Sequence, residues 1–123
     1  MSSLGGYQAS LGFGVYCSTK FAVEGITEAL HGEVKPLGIH ATVVEPGFFR
    51  TDFLDGGSLQ RTKEEITDYA QTVGKVRSFA GLHNHEQPGD PEKFAEVLLQ
   101  LVALPEPPLR LPLGPDALAR IYR

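Results

Sequence analysis

The sequence predicts an α/β chain that carries part of a doubly wound parallel sheet. An amphipathic helix runs directly into a short β-branched strand, the order that builds one piece of a parallel βαβ sheet. Further amphipathic segments follow, but only two strands can be read in the 123 residues. Two strands are too few for a doubly wound domain and cannot cover several amphipathic helices, so sheet partners are expected from elsewhere.

Residues 1–14 are rich in Ser and Gly and read as a loop. The first long helix is expected from about Val15 to Lys35. Its apolar stripe is Ala22, Val23, Ile26, Ala29 and Leu30, spaced three and four apart, and Pro36 and Gly38 end it. Ile39 to Glu45 is a β-branched run between Gly38 and Pro46-Gly47 and reads as a buried strand. Pro46 to Leu59 is a loop with Phe48, Phe49 and Phe53, and Arg61 to Phe79 reads as a helix. Leu82 to Gly89 is polar and irregular. Asp90-Pro91-Glu92 is a helix start, with Asp as N-cap and Pro at the first helical position. That helix turns Phe94, Val97, Leu98 and Leu101 inward and runs to about Ala103, before Pro105, Pro107 and Pro108. Leu109 to Leu113 is a short strand whose Pro112 favours an edge or end position. A last turn or helix covers Pro115 to Arg123.

Bulk composition removes several function classes. Apolar residues make up 41% of the chain and charged residues 21%, enough core and mixed charge for a folded domain. A net charge of -4 gives no footprint for nucleic acid. No run approaches the length of a membrane span, and the first fifteen residues carry no Lys or Arg, so neither a membrane segment nor a secretory signal is expected. The single cysteine, Cys17, excludes an internal disulfide and fits a cytoplasmic location.

The chemistry concentrates in Tyr16-Cys17-Ser18-Thr19-Lys20. Residues i and i+4 share a helix face, so a phenol and an ammonium come within reach of each other. A cation beside a phenol favours its ionised form, which suits a group that must give and take a proton. The spacing alone is common; an exposed Lys beside a packed Tyr satisfies it equally.

Context separates the two readings. Ser3, in Ser-Ser-Leu-Gly-Gly, stands thirteen residues before Tyr16, and Pro46-Gly47-Phe48-Phe49-Arg50-Thr51 follows the strand. In these three elements, and in their order, the chain resembles the short-chain dehydrogenase/reductase family. Asp90-Pro91-Glu92 and Leu109 to Gly114 resemble the tails of the same enzymes. The resemblance implies that residues 1–123 are the C-terminal part of a single Rossmann-type domain, with a substrate loop at about 48–89. It implies an alcohol or carbonyl substrate and NAD or NADP as cofactor, the two not distinguished. Tyr16 would be the general acid/base. Lys20 would tune Tyr16 and hold the nicotinamide ribose, and Ser3 would orient the substrate oxygen. Pro46, Gly47, the Phe49 backbone and Thr51 would hold the carboxamide. A homo-oligomer formed through the Tyr16 helix is also implied.

The departures are equally specific. The family's Gly-rich phosphate turn, its NAD/NADP-selecting residue and its upstream Asn are not found. Gly12-Phe13-Gly14 is only Gly-x-Gly, with Cys17 where a third glycine is needed. Met1 falls where the strand leading to Ser3 should finish, so the chain is expected to begin in the middle of the fold. The alternatives are therefore an inert fragment of such an enzyme, or a non-enzymatic protein on the same fold. Either way, the isolated 123 residues are expected to be inactive.

Other candidates carry less. His83-Asn84-His85-Glu86 has alternate imidazoles but no third ligand at a familiar spacing, so no metal site is expected. Cys17 reads as a small packed residue. Phe48, Phe49 and Phe53 suit a substrate pocket or ordinary core equally.

Overall fold

A computed structural model describes residues 1–122. A one-turn helix, α1 (Leu4–Tyr7), precedes the long helix α2 (Gly14–Val34). The chain then forms strand β1 (Val43–Pro46), helices α3 (Lys75–Leu82) and α4 (Pro91–Ala103), strand β2 (Arg110–Leu113) and helix α5 (Pro115–Ile121). The two strands pair in parallel, Val43 opposite Arg110 and Pro46 opposite Leu113. The fold is thus α/β with a small parallel sheet, as expected from the helix–strand order.

β1 is the centre of the core: Val43, Val44 and Glu45 are all buried. Val43 and Gly47 donate to Leu109 and Leu113 of the β2 side. Alternation along the strand turns Val44 to the opposite edge, and there its carbonyl accepts the Ser2 N–H at 2.8 Å. The segment leading into α1 therefore docks on the free edge of β1. Pro112 lies in β2 with its nitrogen turned away from β1, so its missing N–H breaks no ladder bond.

The helix ends follow local chemistry. Ser3 caps α1 by accepting the Gly5 N–H, and Asp90 caps α4 by accepting the Glu92 N–H at 2.9 Å. α2 runs into a 3₁₀ turn, Lys35–Leu37, and stops at Gly38, whose φ of 72° suits glycine.

Several expectations are corrected. The Ser/Gly-rich opening is not all loop, because the Ser3 cap starts α1. The strand expected over 39–45 forms only from Val43, since Ile39 to Thr42 find no ladder partner. The helix expected over 61–79 is a 3₁₀ turn (Thr67–Tyr69), a π turn (Ala70–Gly74) and then α3. Residues 61–66 stay irregular and exposed, with the Arg77 guanidinium on Thr62 and Glu65. α2 leaves its apolar stripe uncovered, in keeping with a sheet too small for the helices: Ile26 is 69% exposed and Leu30 43%. The inward face carries Cys17 and Glu24, both buried, flanked by the half-buried Lys20 and Thr27. In α4, by contrast, Phe94, Val97, Leu98 and Leu101 are the more covered positions, as expected.

Candidate functional site

α1 and the start of α2 bring the first site residues together. The half-buried Ser3 hydroxyl sits at the N-cap of α1, where the Gly5 N–H reaches it at 3.1 Å. Gly5 marks where the two helices meet. A side chain there would begin 3.6 Å from Ser3 Oγ, 3.3 Å from Tyr16 Cε1 and 3.2 Å from Cys17 Sγ. Glycine at this position leaves open the space into which the Ser3 hydroxyl and the Tyr16 ring both project.

One helical turn on, the Lys20 ammonium stands over the Tyr16 ring, 5.5 Å from its centroid, and donates to the Met1 carbonyl at 3.3 Å. The tyrosine is held from two other sides. Phe53 lies at 5.6 Å between ring centroids and Phe13 meets it edge-on at 6.4 Å. Such contacts fix the ring plane and leave a polar tip to act elsewhere.

The Pro46–Thr51 segment leaves β1 and forms the opposing wall. Gly47 donates to Leu113 at 2.9 Å, and Phe48 donates to Asp116 Oδ2 at 2.7 Å. A Cβ at Gly47 would overlap the Asp116 carboxylate, so only glycine lets α5 close on this turn. Phe49 bridges to Gly89, whose missing side chain makes room for the Phe49 ring, and Phe49 packs edge-on against Phe94 at 5.0 Å. Thr51 Oγ1 accepts the Phe53 N–H at 3.3 Å and so starts the 3₁₀ turn Asp52–Leu54.

A cavity of about 350 Å³ lies between these walls. All seven residues singled out in the sequence line it: Ser3, Tyr16, Lys20, Pro46, Gly47, Phe49 and Thr51. They come from three segments of the chain, and the fold brings them to one place. Phe48 and Phe53 line it as well, so these phenylalanines serve both pocket and packing. One wall offers a hydroxyl, a phenol and an ammonium; the other is a proline–glycine backbone with aromatic rings behind it. That donor set and volume fit a flat amide-bearing ring.

Sequence reasoning missed Asp116, which holds the Pro46–Phe48 turn from 68 residues away. An acidic residue in the first turn of a helix after Gly114-Pro115 was the available signal, but it names no partner. It also missed where the His83–Glu86 loop rests. His85 Nε2 lies 3.2 Å from Asp55 and 4.0 Å from Asp52, and Asn84 donates to Asp55. These contacts fasten the loop to the turn after Thr51.

Comparison with known proteins identifies the family. The family model described as short chain dehydrogenase matches residues 1–62, which hold all seven positions. The chain is 38% identical to oxidoreductase BOA17 of Botryotinia fuckeliana, over 95% of this chain and 42% of that protein. It is 36% identical to a 3-ketodihydrosphingosine reductase of Bacteroides thetaiotaomicron, over 94% of this chain and 42% of that one. A crystal structure of a short-chain dehydrogenase from Streptomyces avermitilis superposes with a TM-score of 0.83 at 40% identity, covering 98% of this chain and 43% of that one. The chain belongs to the short-chain dehydrogenase/reductase family, a family of oxidoreductases. It spans about two fifths of the length of these relatives. Among the described residues no helix is long and apolar enough to cross a membrane.

Proposed function

We propose that this chain forms the proton-transfer and substrate side of an NAD(P)-dependent oxidoreductase that interconverts an alcohol and a carbonyl. The observation that supports it most is the convergence of Ser3, Tyr16 and Lys20 on one cavity wall, facing the Pro46–Thr51 turn. A nicotinamide dinucleotide, when bound, supplies or accepts the hydride. Ser3 orients the substrate oxygen by a hydrogen bond. Tyr16 gives its hydroxyl proton to that oxygen in reduction and takes it back in oxidation. The Lys20 ammonium stabilises the charge that develops on the phenol oxygen and hydrogen-bonds the ribose. Pro46, Gly47, the Phe49 backbone and Thr51 hold the carboxamide. The residues from Phe48 to Gly89 form the substrate loop, and its aromatic rings favour an apolar substrate body.

The test is to titrate a full-length version of the enzyme with NADH and NADPH and to assay alcohol and carbonyl turnover, with Tyr16→Phe beside the wild type. Loss of turnover with cofactor affinity nearly unchanged is the expected result. Wild-type turnover in Tyr16→Phe would end the reading.

A second reading is favoured by the two-stranded sheet and the exposed apolar stripe of α2. On that reading the 123-residue chain alone is inert and gains activity only when its uncovered faces are occupied. The same titration, on this chain by itself, separates the two: binding and turnover by the isolated chain refute it. We also propose that the stripe of α2 mediates a homo-oligomer.

A further inference from the structure

Behind the cavity wall lies a second group of ionisable residues that the proposed reaction does not use. Glu45, the residue before Pro46, is 2% exposed, and Glu24, one turn after Lys20 on the same face of α2, is 7% exposed. Three of their oxygens, Glu24 Oε1 and Oε2 and Glu45 Oε1, are buried with no hydrogen-bond donor. Arg110 of β2 reaches the edge of the group. Its Nε lies 3.4 Å from Glu24 Oε2 and 3.8 Å from Glu45 Oε1, while its Nη2 is taken by Glu28 at 2.7 Å. One guanidinium shared among three carboxylates cannot neutralise two buried ones. Two ionised carboxylates out of water repel, and neither can donate to the other. A single proton resolves both faults, since it removes one charge and supplies the missing donor.

We propose that Glu45 keeps its proton in the folded chain and donates it to the Glu24 carboxylate, and that this acid–carboxylate pair is a positioning device fixing the Tyr16–Lys20 helix against the strand that delivers Pro46 and Gly47. Among the described residues, Glu24 and Arg110 are the charged groups that act on Glu45. α1 presents Gly6, whose absent side chain leaves room first for the buried Ser2 hydroxyl and then for the Lys20 carbonyl and Glu24 Cγ; Lys20 Nζ is drawn off to the Met1 carbonyl; Asp116 of α5 is turned to Phe48. Burial first, and the charge of Glu24 second, push the Glu45 carboxyl from 4.5 up to about 7, against the pull of Arg110. The device reaches the site from both sides, through Lys20 on the helix and Pro46 on the strand.

The inference stands whether or not the chain is catalytic, and its test needs no activity. Side-chain carboxyl ¹³C resonances and the Tyr16 ring protons are followed by NMR from about pH 4 to about pH 9 in the wild type, Glu24→Gln and Glu45→Gln. In the wild type, the expected result is a Glu45 step near the upper value, with the Tyr16 ring protons moving at the same midpoint. In Glu24→Gln that step drops by about one pH unit or more, because an amide donor replaces a like charge. In Glu45→Gln, an isostere of the protonated acid, the ring protons lose the step while the amide spectrum stays folded. A wild-type Glu45 that titrates like a free carboxyl overturns the proposal, as do Tyr16 protons indifferent to its midpoint. Both are read on the wild type, so a variant that fails to fold leaves the decision intact.

Discussion

The Asp116 carboxylate fills the space where Gly47 would carry a side chain, and it accepts the Phe48 N–H at 2.7 Å. Helix α5 is thereby locked to the turn that leaves β1. Gly47→Ala must push the carboxylate out of a well-packed place, at a cost of about 1–3 kcal/mol. Asp116→Ala instead strands the Phe48 N–H, which costs about 1–3 kcal/mol. Urea unfolding should show a lower midpoint for each, with an unchanged slope. A midpoint equal to wild type in Gly47→Ala would show that the turn and α5 are not in contact.

Tyr16→Phe should be nearly silent in stability. Phenylalanine keeps the contacts with Phe53 and Phe13 and the Lys20 ammonium over the ring. Only the hydroxyl is lost, and with it the proposed proton transfer, which lowers turnover of the full-length enzyme by about 10²–10⁴-fold. Thermal unfolding beside an activity assay checks both halves. A variant that unfolds early would show the hydroxyl to be a structural group.

These two cases show what the sequence makes legible. Tyr16 and Lys20 lie four apart on one helix, and Asp90 caps its own helix two residues on, so local spacing is enough to find them. The convergence of Ser3, Tyr16 and Pro46 on one cavity came from the family motif, because no periodicity reports which turn faces which helix. Asp116 and Arg110 act across 68 and 86 residues, on Phe48 and Glu24 respectively, and have no local signature. The α2 stripe is silent for a related reason. Apolar spacing identifies a face that wants cover but not what covers it, and here the covered face is the one bearing Glu24 and Lys20. Residues 61–66 failed as helix because their two glutamates and lysine bring no apolar side chain to the body, and Ile66 itself is 63% exposed.

The α2 stripe also yields an expectation about assembly. Ile26 at 69% exposure and Leu30 at 43% form an apolar surface that water contacts at a cost. A homo-oligomer that covers it should dissociate in Ile26→Glu, because a carboxylate would be buried without a partner. Sedimentation equilibrium of the two proteins checks this. A wild-type chain that sediments as a monomer at all concentrations contradicts the assembly.

Glu45 gives stability a pH dependence of unusual sign for a carboxylate. Its carboxyl is raised in the folded chain from 4.5 to about 7, chiefly by burial and then by Glu24. Between those two values the folded chain holds a proton that the unfolded chain has released. Stability from this group is therefore fully present below the lower value and is lost as pH rises through the upper one. The loss is roughly 3 kcal/mol, from the size of the shift. Other carboxylates contribute their own slopes, so the difference between wild type and Glu45→Gln isolates the effect. Urea midpoints taken from about pH 5 to about pH 8 should show the variant gaining on the wild type until about pH 7 and the gap levelling off above it, because glutamine keeps the shape of the protonated acid and cannot ionise. A gap that stays constant over that range would mean that Glu45 is already ionised in the folded chain and that Arg110 outweighs both burial and Glu24.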